Sequence, residues 1–239
     1  MKIYIHKPNE FLSDITFTAY MGCLHLGYTI VFFCKIEEVP INSIVIGFSE
    51  DTITYLKRCN INVPKPLGIP KELSKYTLRN VKVVTFEEFL KSPVPTEGIF
   101  IKPHDQLKLF PSGVIKHESS KRNGVIPQIP LDTLVEVCDF MDMQSEYRVF
   151  VRRGKIVGIK HYQGDFKMFP NTILMDKIIS EYGSAPIGYT IDFAITDNFD
   201  TVLVECNDGW SIGPYGLEPD EYIKLLIDRW IEIYPACRK

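Results

Sequence analysis

Asp192 and Glu205 are the residues whose placement first suggests chemistry. They stand on two runs, Tyr189 to Thr196 and Thr201 to Cys206, that read as strands joined through a turn at Asn198-Phe199. Counting outward from that turn pairs Asp197 with Asp200 and sets Asp192 directly opposite Glu205. Period two then gathers Ile191, Phe193, Ile195, Val202, Val204 and Cys206 on one face, and Asp192, Glu205 and Asn207 on the other. Like charges directly opposed on a sheet are destabilising unless something compensates them, and two carboxylates with an amide oxygen are hard ligands suited to Mg2+. Two plainer arrangements give the same pattern: acids that face water on an exposed hairpin, and acids that share one proton. The run Asn207 to Gly216 follows directly, glycine-rich and aromatic, as substrate-positioning loops often are.

The elements that must carry this hairpin fall into two parts. Over residues 1–95 short β-branched or aromatic runs (Lys2 to His6, Thr29 to Lys35, Ser43 to Phe48, Val81 to Thr85) alternate with helical spacing at Asp14 to Leu26 and Glu50 to Cys59, which predicts a small α/β domain. Ser49 is placed to cap the second helix, and Thr85-Phe86-Glu87-Glu88 reads as a capping box. Asn62 to Pro70 is a proline-rich connection. From residue 96 to 239 the pattern turns to antiparallel strands: Gly98 to Pro103, Gly113 to Lys116, Val135 to Phe140, and a hairpin of Ser145 to Arg152 with Lys155 to Tyr162 about Arg153-Gly154. The register about that turn pairs Lys160 with Tyr147, off the face of Arg148. Helices are predicted from Asn171 to Tyr182 and from Glu218-Pro219 to about Tyr234.

Composition sets the limits. With 45% hydrophobic and 24% charged residues in 239, the chain can bury a core. Lys plus Arg number 27 against 30 Asp plus Glu, which gives no general electrostatic case for nucleic acid or an anionic membrane. No run approaches the roughly 18 apolar residues of a membrane helix, and Met1 to Pro8 lacks the pattern of a secretory signal, so cytoplasm is the expected compartment. The six cysteines show no CxxC spacing and the five histidines no metal-ligand spacing, so neither disulfides nor a structural zinc is expected.

Taken in order, Ile101-Lys102-Pro103, Glu146-Tyr147-Arg148-Val149-Phe150-Val151, and Asp192 followed thirteen residues later by Glu205-Cys206-Asn207 resemble the ATP-grasp superfamily of carboxylate-amine ligases. Within it the chain is most similar to the clade named for one arginine and two lysines. The resemblance implies an α+β ATP-grasp fold with antiparallel sheets from about residue 96, a small subdomain to about 137 and a large one from 138, preceded by the α/β domain. It implies that Lys102 and Lys108 bind ATP phosphates, that the backbone of Asp139 or Phe140 holds adenine, and that Glu146 binds the ribose. Arg148 would act on the transferring phosphate or acyl phosphate, and Asp192, Glu205 and Asn207 would hold Mg2+. Lys108 as a solvated loop lysine, Glu146 as an ordinary strand-end glutamate, and Arg148 in a salt bridge with Glu146 along the same face are the plain alternatives. Thr190 stands where D-alanine ligases carry an arginine, and Pro103-His104-Asp105-Gln106-Leu107 replaces their serine- and glycine-rich phosphate loop.

The implied function is ATP-dependent joining of a carboxylate, on an amino acid, peptide or protein, to an amine through an acyl phosphate. Phosphotransfer to a hydroxyl and a nucleotide-binding module without turnover are the alternatives. The expected partners are small-molecule or peptide carboxylates and amines, without nucleic acid or membrane.

Overall fold

In a computed structural model, residues 1–104, 109–122 and 129–238 are described. The N-terminal unit runs β1 (Lys2–His6), α1 (Asp14–His25), β2 (Thr29–Phe33), β3 (Ile44–Ile46) and α2 (Ser49–Arg58), with a parallel sheet in the order β2-β1-β3. Ser13 caps α1 through Thr16 N. At α2 the capping position is Phe48 and Ser49 is already inside the helix, one residue beyond the predicted cap.

The chain then forms β4 (Val81–Thr85), α3 (Phe86–Lys91), β5 (Ile99–Pro103), β6 (Gly113–Ile115), α4 (Glu118–Arg122) and β7 (Leu134–Asp139). These strands make an antiparallel sheet in the order β4-β7-β5-β6. Here one expectation is corrected: Val81–Thr85 pairs with β7 and takes no part in the N-terminal sheet. The predicted capping box is present, with Thr85 Oγ1 accepting from Glu88 N and Glu88 accepting from Thr85 N. Phe86, Phe89, Ile101, Ile115, Val135 and Val137 fill one face of this sheet. Alternation therefore turns Lys102 and Glu136 to the other face, toward the rest of the molecule.

The last part comprises β8 (Met143–Arg152), β9 (Lys155–Gly164), α5 (Thr172–Glu181), β10 (Gly188–Thr196), β11 (Thr201–Asp208) and α6 (Pro219–Ile233), with an antiparallel sheet ordered β11-β10-β8-β9. Asn171 caps α5, as its sequence predicts, by accepting from Leu174 N. One face of this large sheet buries Val149, Val151, Ile191, Phe193 and Leu203 against α5. On the opposite face Phe150 joins Tyr222, Ile223 and Trp230 of α6 in a core shared with Ile3, Ile5 and Ile44 of the N-terminal sheet, so α6 ties the two parts together. Among the described residues no helix is long and apolar enough to cross a membrane.

Two of the β-bulges in this sheet set the faces of Asp192, Glu205 and Arg148. At β10–β11 the strands close over a longer turn than Asn198-Phe199 alone, with Thr196 N donating to Asp200 O and Ile195 opposite Thr201. That register is one residue off the predicted one. Val204 then bulges, and the slip is undone just where it matters: Asp192 lies opposite Glu205, as predicted. The core position across from Phe193 belongs to Leu203, and Val204 is half-buried, a correction to the predicted face. At β8–β9 Arg153 and Gly154 take positive φ of 52° and 71°, the twist a two-residue hairpin turn requires. Val157 is then an extra residue, so Lys160 pairs with Arg148 and His161 with Tyr147. Lys160 therefore shares the face of Arg148, contrary to the expectation from simple counting.

Candidate active site

Three sheet neighbours set up the polar face of the large sheet. Arg148 on β8 lies opposite Asp192 on β10, which lies opposite Glu205 on β11. Arg148 grips Asp192 with two parallel hydrogen bonds, Nε to Oδ1 at 2.9 Å and Nη2 to Oδ2 at 2.6 Å. The partner of Arg148 is thus a candidate metal ligand and not Glu146, the plain alternative considered from sequence. Asn207 Nδ2 donates to Glu205 Oε1 at 3.1 Å and to Asp192 Oδ2 at 3.5 Å. Tyr215 covers the Arg148 guanidinium at 4.4 Å from its ring centre, and Tyr162 lies at 5.8 Å, so the cation is held in plane by Asp192 and from its faces by tyrosines.

The small sheet supplies the opposing wall. Lys102 Nζ is 3.1 Å from Glu205 Oε2 across the cleft and 3.2 Å from Glu136 Oε1 on its own sheet. Burial opposes the lysine's charge, but Glu205 and Glu136 outweigh it and raise its pKa. The two hairpin acids diverge. Burial pushes Asp192 up to about 6 despite Arg148. Glu205, more open and facing Lys102, is held below the usual carboxylate range because that lysine and Asn207 outweigh its burial.

A cavity of about 970 Å³ opens between the sheets, with Lys102, Glu136, Arg148, Glu205, Asn207 and Tyr215 in its lining. The lining also takes in Ile15 and Phe48 of the N-terminal unit with Trp210 and Ile212 of the loop after β11. That loop is anchored where it leaves β11: Asp208 takes two hydrogen bonds from Arg229 of α6. Gly209 packs so closely on β10 that a Cβ there would meet Gly188 O at 2.3 Å.

The structure therefore gathers Lys102, Arg148, Asp192, Glu205 and Asn207. Asp139, Phe140 and Glu146 stand outside the cavity lining: the Asp139 carboxylate accepts from Asn80 N at 3.1 Å, Phe140 faces Lys116, and Glu146 accepts from Tyr162 Oη at 2.7 Å. Lys108 lies outside the described residues. Sequence reading missed Glu136, Tyr162 and Tyr215. Glu136 is set opposite Lys102 by pairing of β5 with β7, strands that are not neighbours in sequence, so no local pattern reveals it.

Asp192, Glu205 and Asn207 fit a magnesium ion by their chemistry, since Mg2+ is commonly bound by one or two carboxylates with substrate phosphates and water completing its shell. Among the described residues no group of three or more His, Cys, Asp or Glu side chains gathers for a metal, so phosphate or water oxygens must supply the remainder. Every carboxylate oxygen of the pair faces a cation or an amide N–H.

The model of the R2K clade family 2 ATP-grasp domain matches residues 76–225, a stretch that begins just ahead of β4. No curated protein matches the chain. Among solved structures, D-cycloserine synthetase DcsG aligns with a TM-score of 0.64 at 11% identity over 95% of this chain and 98% of its own. N5-carboxyaminoimidazole synthetase from Staphylococcus aureus gives 0.61 at 10% over 95% and 77%, and D-alanine–D-alanine ligase from Bacillus anthracis gives 0.57 at 13% over 98% of each chain. At these identities the likeness is one of fold. With the family match covering more than half of the sequence, and antiparallel sheets enclosing a lysine, an arginine and an opposed acid pair in the predicted order, the chain belongs to the R2K clade of the ATP-grasp superfamily.

Proposed function

We propose that this protein is an ATP-dependent ligase that joins a carboxylate to an amine through an acyl phosphate. The observation that carries the reading is the cluster of Lys102, Arg148, Asp192, Glu205 and Asn207, four of whose members line a cavity of about 970 Å³ that Asp192 adjoins through Arg148. The γ-phosphoryl group of ATP would pass to a carboxylate oxygen, leaving ADP. The amine nitrogen would then attack the carbonyl carbon, lose a proton and expel inorganic phosphate. Asp192, Glu205 and Asn207 would hold Mg2+, which supplies charge neutralisation at the transferring group.

Lys102 binds and orients the phosphates from the small sheet, with Lys108 as the clade's second lysine. Arg148 is preorganised by Asp192 and Tyr215, so its positive charge is fixed where negative charge develops on the phosphoryl or acyl oxygens. The β7–β8 connection at Asp139 and Phe140 holds adenine by backbone groups, and Glu146 contacts the ribose after release from Tyr162. The apolar lining at Ile15, Phe48 and Trp210 leaves room for the acceptor and keeps water from the acyl phosphate.

The test is a screen of amino acids, short peptides and polyamines for stimulated ADP release with Mg2+, followed by mass analysis of the product. An amide with free phosphate is the expected outcome. A phosphorylated acceptor would replace the ligase reading with a phosphotransferase, and tight ATP binding without turnover on any acceptor would replace it with a binding module.

A further inference from the structure

We infer that Glu136 is a positioning residue for Lys102, keeping its ammonium on the small-sheet side of the cleft so that Glu205 can be released to a ligand. The inference rests on the reading of Lys102 as a phosphate partner and Glu205 as a metal ligand. Lys102 and Glu136 are direct partners in the β5–β7 register. Glu136 is 7% exposed on a strand whose neighbours Val135 and Val137 point into the apolar core, so its carboxylate has been placed on the cleft face and needs a partner there. It finds Lys102 Nζ at 3.2 Å through Oε1, while Oε2 is 3.9 Å from His104 Nδ1.

The geometry distinguishes Glu136 from an ordinary ion pair. Lys102 is shared, at nearly equal distances, between an acid on its own sheet and an acid on the opposite sheet. With Glu205 as sole partner, the lysine would bridge the cleft, occupy the candidate metal ligand and leave a buried ammonium stranded whenever that bridge opened. A buried charge left without its partner is strongly unfavourable. Glu136 removes that penalty because it stays with Lys102 on either side of the exchange. Phosphate then replaces one carboxylate of two, and the ammonium does not travel.

The test is calorimetric binding of ADP to the 239-residue chain with and without Mn2+, with adenosine as the ligand that lacks phosphate. Glu136→Ala and the volume-matched Glu136→Met are expected to weaken Mn2+-dependent ADP binding by about 10-fold, the low end of what is lost when an orienting partner is removed. Adenosine affinity should stay unchanged, and the steady-state loss should fall in KM for ATP more than in kcat. Glu136→Gln, whose amide oxygen still accepts from Nζ, should recover most of the ADP affinity. ADP binding equal to or tighter than wild type in both Ala and Met variants would overturn the inference while leaving the nucleotide site intact. Equal losses for ADP and adenosine would also overturn it, because they would mark Glu136 as a packing residue. If Lys102→Ala also left ADP binding unchanged, the reading of the site itself would fall, and the inference with it.

Discussion

Asp192 and Asp228 are both nearly buried and both clamped by arginine, yet burial wins at one and the arginines win at the other. Asp228, on α6, takes Arg153 through both of its oxygens at 2.8 Å and Arg152 through Oδ2 at 2.7 Å. Burial works against its charge, but the two guanidinium groups outweigh it and hold the carboxyl below its ordinary value. Asp192 has one guanidinium and sits beside Glu205 and Glu146, whose charges add to burial and push its carboxyl up to about 6. The first arrangement is a clip that fastens the β8–β9 turn to α6. The second holds an under-compensated acid in a cleft, where a cation from solution improves it. The same pair of residue types is structural or functional according to the charges around it.

The strongest way to break that comparison is to neutralise each acid in turn. Asp192→Asn is expected to lower turnover by about 10³-fold or more, since it removes a carboxylate from the candidate metal set and the anchor of Arg148. Its melting temperature near pH 7 should fall by less than that of Asp228→Asn, because relief of the buried carboxylate offsets the loss of its two bonds to Arg148. That relief follows from linkage: a carboxyl whose folded pKa is raised costs stability increasingly as pH rises from its unfolded value of 3.8 to about 6, and asparagine is spared that cost. Steady-state kinetics with a melting curve at pH 7 check both halves. An early-melting Asp192→Asn protein with normal turnover would make Asp192 a second clip.

Asp228→Asn should do the reverse. Turnover should be unchanged, and stability should fall by about 1.5–3 kcal/mol, the range for hydrogen bonds to a charged group. A depressed folded pKa stabilises above the unfolded value and is lost as pH falls through the folded one, so the difference from wild type should be flat from pH 8 to about 5 and shrink below about 4. Urea unfolding across that range measures it directly. A gap that widens in acid would contradict the depressed carboxyl.

How much of this was legible in the sequence follows from how local each determinant is. The capping box at Thr85 and Glu88, the Asn171 cap and the positive-φ turn at Arg153-Gly154 depend on a few adjacent residues, and all three were readable. The facing of Asp192 and Glu205 was also predicted, although two errors cancelled in it: the turn is longer than the count assumed, and the Val204 bulge restores the register. Where a bulge was not compensated, at Val157, counting put Lys160 on the wrong face. Bulges have no fixed residue signature, so period-two reasoning fails silently beyond them. Glu136 and the pairing of β4 with β7 depend on strands brought together from a distance, and the motif order that identified Lys102 says nothing about the residue across from it.

Tyr215 sharpens the comparison with the smallest expected effect. Arg153 is oriented by hydrogen bonds alone and is largely exposed, whereas Arg148 is half-buried, and its planar group is also covered by Tyr215 at 4.4 Å. Tyr215 itself sits at a positive φ of 49°, followed by Gly216 at 78°, a backbone arrangement that a tyrosine occupies at some cost. If that strain serves to place the ring over the guanidinium, Tyr215→Leu should keep the apolar cover but lose the cation–π attraction, about 0.5–2 kcal/mol. That corresponds to a loss of roughly 2-fold to 30-fold, and it should appear in kcat, because Asp192 still holds Arg148 in plane and the ring only limits how far it tilts. Tyr215→Phe keeps the quadrupole and should turn over like wild type. A loss shared equally by the Phe and Leu variants would assign the role to the tyrosine hydroxyl, and Tyr215 would then be a substrate contact and no longer a cover for Arg148.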